Sequence, residues 1–220
     1  ELAEKGAGSG LVVTEDEQTA IMINEEDHLR IQVISSGMNL PAVWKKLDKL
    51  DSEMEKYFNY AFSSRLGYLT ACPTNVGTGL RASVMMQLSG LKLLNEIKPV
   101  VKALGKMGLA VRGLLGEGTE SYGNMFQISN QSTLGETEKT IITRLIQVIN
   151  EVARHEQNAR TKLIEEKKTY ALDQMGRAFG ALSQARILPS AEAIDLLSEF
   201  RLGVEFKIIK NLTASIINEI

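Results

Sequence analysis

Apolar and polar residues alternate with a period of two along several short stretches of this chain, and with a helical period between and after them. From Leu80 to Leu88 the alternation is clean: Leu80, Ala82, Val84, Met86 and Leu88 share one face, and Arg81, Ser83, Met85 and Gln87 share the other. That is the signature of a half-buried strand. Leu29, Ile31 and Val33 set a second such strand with Arg30 and Gln32 opposite, and Leu109–Leu115 a third with Arg112 on the face away from Leu109 and Val111. Asn124–Asn130 puts Phe126 and Ile128 together, while Gly10–Val13 and Thr19–Asn24, joined by the acidic turn Glu15-Asp16-Glu17, predict a hairpin. Between these, Val43, Leu47, Leu50, Met54, Phe58 and Ala61 recur at helical spacing and predict a helix from about Leu40 to Phe62. Leu91–Met107 predicts a second, with Pro99 to break or bend it.

After Glu136 the period is helical throughout. Ile142, Leu145, Ile149 and Val152 lead a stripe that runs to about Lys168, followed by helices over 170–185, 190–202 and 204–220, with Ser190 as an N-cap behind Pro189. Strands interleaved with helices, then helices alone, predict an α+β fold: an antiparallel or mixed sheet with helices packed on it.

Composition narrows the function more than the fold. With 220 residues, 44% of them hydrophobic, the chain can build one sizeable core or two small ones. A net charge of -2 argues against a nucleic-acid surface or a polybasic membrane patch. No apolar run reaches the roughly 18–20 residues of a membrane span. The single cysteine excludes an internal disulfide and points to a reducing, cytoplasmic setting. Neither common nucleotide fingerprint is present, neither the phosphate-cradling loop ending in Gly-Lys-Ser/Thr nor Gly-x-Gly-x-x-Gly opening a helix. The two histidines lie far apart without paired cysteines, which argues against zinc. Cys72 with His28 carries no signature of a cysteine protease.

The chemistry concentrates between Tyr68 and Val84. Cys72 sits in a Cys-Pro-Thr turn, two glycines follow at Gly77 and Gly79, and Arg81 opens the alternating strand. Arg30, Arg81 and Arg112 each occupy the polar face of a different strand. If those strands share a sheet, three guanidinium groups line one surface and repel unless a polyanion lies among them; a triphosphate is the natural candidate. Glu26 and Glu117 add carboxylates at the ends of two of the same strands. Taken singly, each arginine is better explained by an ordinary surface ion pair, the acidic run 24–27 by a solvated turn, and His155 by a solvated helix face; three arginines in the same strand context weaken that reading.

Together these residues resemble the guanidino kinases. Asn-Glu-Glu-Asp-His-Leu-Arg at 24–30, Gly-Tyr-Leu-Thr-Ala-Cys-Pro-Thr-Asn-Val-Gly-Thr-Gly-Leu-Arg-Ala-Ser-Val at 67–84, Val-Arg-Gly-x-x-Gly-Glu at 111–117 and Ile-Ser-Asn at 128–130 stand in that family's order and at about its spacings. The resemblance extends through the helical tail. It implies an antiparallel sheet flanked by helices, and transfer of the ATP γ-phosphoryl group to a guanidinium nitrogen. It further implies that Arg30, Arg81 and Arg112 clamp the nucleotide phosphates and that Glu26, as general base, and Glu117 hold the substrate guanidinium. Cys72 would touch it as a thiolate favoured by Thr74 and the local positive field, and Glu25 would meet Mg2+ through water.

Departures from the small-molecule kinases select a subgroup. Met85 stands where they have histidine after Arg-Ala-Ser-Val, Gln127 where they have aspartate before Ile-Ser-Asn, and Gly118 where their mobile loop has histidine. These, with Met86 and the Thr133-Leu134-Gly135 ending, resemble the bacterial protein-arginine kinases of the McsB type. The resemblance then implies protein substrates bearing arginine, marking for a Clp protease system in protein quality control and stress response, an activator protein, and a homodimer. Neither the family's upstream Ser-Ser-Arg-x-Arg strand nor the Arg-Asp-x-x-Arg-Ala segment that reads phosphoarginine is found here, so residues 1–220 are expected to be a catalytic-domain fragment that folds but whose activity is impaired or absent. Two other readings stay open: a small-molecule guanidino (arginine) kinase, and a non-catalytic phosphoarginine-binding adaptor.

Overall fold

In the computed structural model, which describes residues 4–114, 121–209, 212 and 216–217, ladder hydrogen bonds form where the period-two segments lie. The described residues fall into two units, Glu1–Ala82 with Asn130–Ile146, and Ser83–Ser129 with Gln147–Ile220. The first holds an antiparallel meander of β1 (Gly10–Val13), β2 (Thr19–Ile23) and β3 (Leu29–Val33), with Val12 opposite Ile21, Ile21 opposite Ile31, and Met22 opposite Arg30. The β1–β2 turn is held by Asp16, whose Oδ1 accepts from the Thr14 hydroxyl and from the Gln18 N–H at 3.1 Å.

Helix α1 (Leu40–Met54) starts with Pro41 in its first turn, where a missing N–H has no consequence. Val43, Leu47, Leu50 and Met54 are half-buried as the stripe predicts. The helix stops well short of Phe62. Tyr57 and Phe58 stay exposed, and Tyr60 and Phe62 turn away to meet Tyr68 edge-on, with ring centroids 5.9 and 5.2 Å apart. That aromatic contact, fixed by the short hairpin β4 (Phe62–Ser63) and β5 (Gly67–Tyr68), outweighs continuing an unburied stripe.

Close backbone approach explains two glycines beside the hairpin. Tyr68 N–H donates to the Gly77 carbonyl at 2.8 Å, Gly77 N–H returns the bond at 3.1 Å, and Thr78 N–H donates to the Thr133 carbonyl at 2.8 Å. A Cβ on Gly77, whose φ is +114°, would lie 2.2 Å from the Thr133 oxygen, and one on Gly67 would lie 2.5 Å from the Gly77 oxygen. No side chain fits at either position.

In the second unit β6 (Ser83–Gln87), β7 (Leu109–Gly113) and β8 (Met125–Asn130) form a sheet with β8 in the middle. Phe126 and Ile128 have no exposed surface. Helix α2 (Ser89–Leu93) and helix α3 (Ile97–Lys106) replace the single helix expected over Leu91–Met107. The break falls at Asn95, in the left-handed region at φ +61°, and not at Pro99, which sits harmlessly in the first turn of α3.

Helix α4 (Glu138–Glu166) runs through both ranges and buries Ile142, Leu145, Ile149 and Val152. Helices α5 (Lys168–Gln184) and α6 (Ser190–Glu205) pair, with Phe179 stacked on Phe200 at 6.0 Å. Ser190 is not the N-cap. It is the first helical residue, Pro189 holds the cap position, and no side chain bonds the free N–H groups. The helix expected to begin at 204 does not: Val204 and Glu205 end α6, and 206–209 are turn and bend, while 210–211, 213–215 and 218–220 lie outside the described residues. No described helix is long and apolar enough to cross a membrane. The α+β class with antiparallel strands is as expected. The arginine-bearing strands do not share one sheet, however: among the described residues β3 and β7 pair in separate sheets.

Candidate active site

The β2–β3 turn carries the acidic run, and its two ends are tied together. Asn24, at φ +54°, donates its N–H to the His28 carbonyl at 2.9 Å, its side-chain amide donates to the Gly8 carbonyl at 2.6 Å, and its Oδ1 lies 3.1 Å from His28 Nδ1. A left-handed asparagine bonded on three sides fixes the turn. Glu25 points back along the strand. Its Oε2 pairs with Arg30 at 3.1 Å, its side chain is 13% exposed, and its carbonyl accepts from Lys5. The hydrogen bond from Arg30 holds the Glu25 carboxyl below its ordinary value. Glu26 is exposed.

Asp27 reaches elsewhere. One of its oxygens accepts from the Cys72 N–H at 3.1 Å and the other from the Asn75 side-chain amide at 2.7 Å. The turn so held is a short 3-10 stretch, Pro73–Asn75, that begins after Cys72; the Thr70 hydroxyl donates to the Cys72 carbonyl at 2.6 Å. The half-buried Cys72 Sγ lies 3.0 Å from the Thr74 hydroxyl, the partner the sequence names for it. Thr133 Oγ1 meets the carbonyls of Thr74 at 3.0 Å and Val76 at 2.8 Å, completing the frame of the loop.

Arg81 is not within a strand. Strand β6 begins at Ser83, and Arg81 precedes it with its side chain exposed. The reason is Asn130, which is buried at 6% exposure. Its Oδ1 accepts from the Ala82 N–H at 2.8 Å, and its amide donates to the carbonyls of Leu80 and Ser132, both at 2.9 Å. A side chain thus replaces the ladder partner on both sides of Arg81 and ends the strand before it.

Of the expected site residues, the structure brings Glu25 to Arg30, ties the acidic run to Cys72 through Asp27, and puts Arg30, Arg81, Cys72, Glu25 and Glu26 in the first unit. Arg112 is exposed on β7 of the second unit. Glu117 lies outside the described residues, as does Gly118. Asp27 and Asn130 were not singled out by the sequence reading, although both lie inside quoted motifs. Met85 and Gln127, two of the positions that depart from the small-molecule kinases, are direct cross-strand partners on β6 and β8. Gln127 donates to the Ser83 hydroxyl at 3.1 Å, a polar contact that needs no neighbouring charge.

No group of three or more His, Cys, Asp or Glu gathers as a metal shell among the described residues. The Glu25 carboxylate is an oxygen donor of the kind a hard cation takes through water, its other ligands coming from phosphate and water.

Residues 1–159 match the model of the ATP:guanido phosphotransferase C-terminal catalytic domain. The chain belongs to this family. Residues 168–220 match the protein-arginine kinase McsB C-terminal domain. The chain is 51% identical over 210 residues to a protein-arginine kinase of Pelotomaculum thermopropionicum, covering 96% of this chain and 59% of that protein. It is 48% identical to one of Moorella thermoacetica, covering 100% and 63%. The chain thus spans about three fifths of these relatives' length. Among solved structures it is similar to the duplicated taurocyamine kinase of Schistosoma mansoni with bound transition-state-analogue components. The TM-score is 0.62 at 32% identity, over 80% of this chain and 25% of that one. It is also similar to a lombricine kinase, with TM-score 0.59 at 34% identity over 68% and 42%. These likenesses agree with the α+β fold seen here.

Proposed function

We propose that this chain is the catalytic part of an ATP-dependent protein-arginine kinase. The observation that carries the reading is the bond of Asp27 to the Cys72 turn: it ties the acidic turn bearing Glu26 to a thiol, within a chain of the guanidino phosphotransferase family. A planar guanidinium is recognised by carboxylates and by a soft anion beside them. In the proposed reaction Glu26 takes a proton from the substrate guanidinium, and the freed nitrogen attacks the γ-phosphorus of ATP. An N–P bond forms, the bond from phosphorus to the bridging oxygen breaks, and ADP leaves. Arg30, Arg81 and Arg112 balance the phosphate charge, Glu117 is the second guanidinium carboxylate, and Cys72 orients the guanidinium. Catalysis of this kind rests on positioning and charge. Glu25 would hold Mg2+ through water, and the ion would supply further charge neutralisation.

The near-half identity to proteins named protein-arginine kinase favours a protein arginine side chain over a free guanidino compound. Met85 and Gln127, where the small-molecule enzymes have histidine and aspartate, favour it too, and are proposed to alter the adenine contacts. By the same likeness, phosphoarginine would mark proteins for a Clp protease system, with an activator protein, homodimerisation and a cytoplasmic setting. The test uses a full-length protein that carries this chain, with ATP, Mg2+ and an unfolded protein, and free arginine in a parallel tube. Acid-labile phosphate on protein arginine alone is expected, and Glu26→Ala lowers its rate by about 10²–10⁴. Label on free arginine would move the chain to the small-molecule kinases. Its absence from both tubes would leave the adaptor.

A further inference from the structure

We propose that Asp27 is a positioning residue: its carboxylate locks the Cys72 turn to the acidic turn, so that the thiol and Glu26 are presented as one rigid piece. As a statement about geometry this stands by itself; as a statement about the reaction it rests on the function proposed above.

Cys72 lies 45 residues after Asp27, and Asn75 lies 48 after it. Nothing local in sequence holds them together. The Cys72 segment is a short 3-10 turn with no side-chain cap of its own, and its backbone N–H at Cys72 needs an acceptor. Asp27 supplies that acceptor with one oxygen while the other takes the Asn75 amide at 2.7 Å. The two donors flank the Pro-Thr pair, so a single carboxylate braces both ends of the turn. Charge-assisted bonds of this type are shorter and stronger than neutral ones. Thr74, whose hydroxyl sits 3.0 Å from Cys72 Sγ, lies inside the braced segment, so the thiol and its partner are held together.

Glu25 and Glu26 immediately precede Asp27. Glu25 is engaged with Arg30, Asp27 with the Cys72 turn, and Glu26 between them is the exposed carboxylate. Three consecutive acids thus divide into an anchor to the strand, a free group, and an anchor to the thiol loop. Only a carboxylate meets the last demand fully. An asparagine at 27 would turn an N–H2 toward one of the two donors and lose that bond. A glutamate would keep both acceptors on a longer stem.

Cys72 is the one cysteine, so its alkylation reports on this turn alone. The experiment measures the iodoacetamide rate of the chain at a pH high enough that the thiol is fully ionised, in wild type, Asp27→Asn, Asp27→Glu and Asn75→Ala. Under that condition the rate reads access and mobility, not thiolate fraction. Release of the brace is expected to raise the rate by at least about threefold in Asp27→Asn and in Asn75→Ala, with Asp27→Glu nearer wild type. Asn75→Ala leaves the carboxylate in place and separates bracing from charge. It also keeps the test alive if Asp27→Asn does not fold. The same variants in the full-length protein are expected to lose kcat/KM for the guanidinium substrate by more than about tenfold, with KM for ATP within about twofold of wild type. Rates superimposing on wild type in both Asp27→Asn and Asn75→Ala would overturn the proposal, as would an equal rise in both KM values. If wild type transfers no phosphate, the alkylation series still decides whether Asp27 braces the turn, so the two failures are distinguishable.

Discussion

Asp27 in the first unit and Glu156 in the second are used in the same way under opposite conditions. Each is a carboxylate in a charged run that reads as a solvated face, and each bonds both oxygens to distant segments. Glu156 is buried at 6% exposure and accepts from the N–H groups of Gly90 and Leu91 at 2.8 and 3.0 Å, capping α2. Arg160 Nε lies 2.6 Å away and also reaches Glu205. Burial works against the Arg160 cation, but these two carboxylates outweigh it and hold its pKa above the ordinary value. Around this cap the second unit buries Leu88, Leu91, Leu104, Leu109 and Phe126. The turn that Asp27 braces is only half-buried, and in the first unit α1 has no fully buried residue and Leu11, Val12, Phe58 and Phe62 are exposed. One unit uses a carboxylate to complete a core, the other to join two half-exposed turns. The physical lesson is that the same bonds are worth stability when water is excluded and geometry when it is not.

The largest effect is expected at Glu156. Glu156→Ala leaves Arg160 and two helix N–H groups in a dry setting and is expected to cost about 3–5 kcal/mol, read as a fall in the urea midpoint. Glu156→Gln, which keeps one acceptor, loses less. A loss under about 1 kcal/mol in Glu156→Ala would mean that apolar packing of Leu91 alone holds α2, and the contrast with Asp27 would collapse.

Asn130 gives a smaller effect, because it is a buried polar side chain whose bonds flank Arg81. Removing it leaves the Leu80 and Ser132 carbonyls and the Ala82 N–H without partners. Asn130→Ala is expected to cost about 1–3 kcal/mol, and in the full-length protein to raise KM for ATP more than KM for the guanidinium substrate, since Arg81 lies between the bonded groups. Equal effects on both substrates would make Asn130 a stabilising residue only.

How far the sequence foretells the structure follows from which forces repeat along it. Burial of one face repeats every second or every three to four residues, so β1, β2, β3, β7, β8 and the stripe of α4 were legible. Ends were less so. Met54 ends α1 because Tyr60 and Phe62 find Tyr68, and Asn95 breaks the next helix through its own backbone angle, neither of which periodicity carries. Glu25, Glu26, Arg30 and Cys72 stand out in the sequence as candidates because they lie in long motifs. The work of Asp27 and Asn130 does not, because their partners lie 45 to 50 residues away and a carboxylate in an acidic run looks the same whether or not it is engaged. The pairing of Met85 with Gln127 needed a strand register that only the ladder provides.

The smallest effect concerns the aromatic corner of the first unit and is read by pH. Burial, and then the negative charge of Asp51, push the Tyr60 hydroxyl from 10.0 up to about 12. Its oxygen is buried. Below pH 10 the phenol keeps its proton in both the folded and the unfolded chain, so it contributes no pH dependence there. Between about 10 and 12 the unfolded chain releases that proton and the folded chain does not. The folded state therefore binds more protons in this window, and stability falls as pH rises through it. Tyr60→Phe is expected to remove that part of the slope while leaving the slope below pH 10 unchanged. In the folded protein the phenolate absorbance of wild type minus that of Tyr60→Phe should stay flat to beyond pH 11 and rise near 12. A difference curve centred at 10 would show the Tyr60 hydroxyl to be in water. The contact with Tyr68 would then not be what turns the chain away from α1.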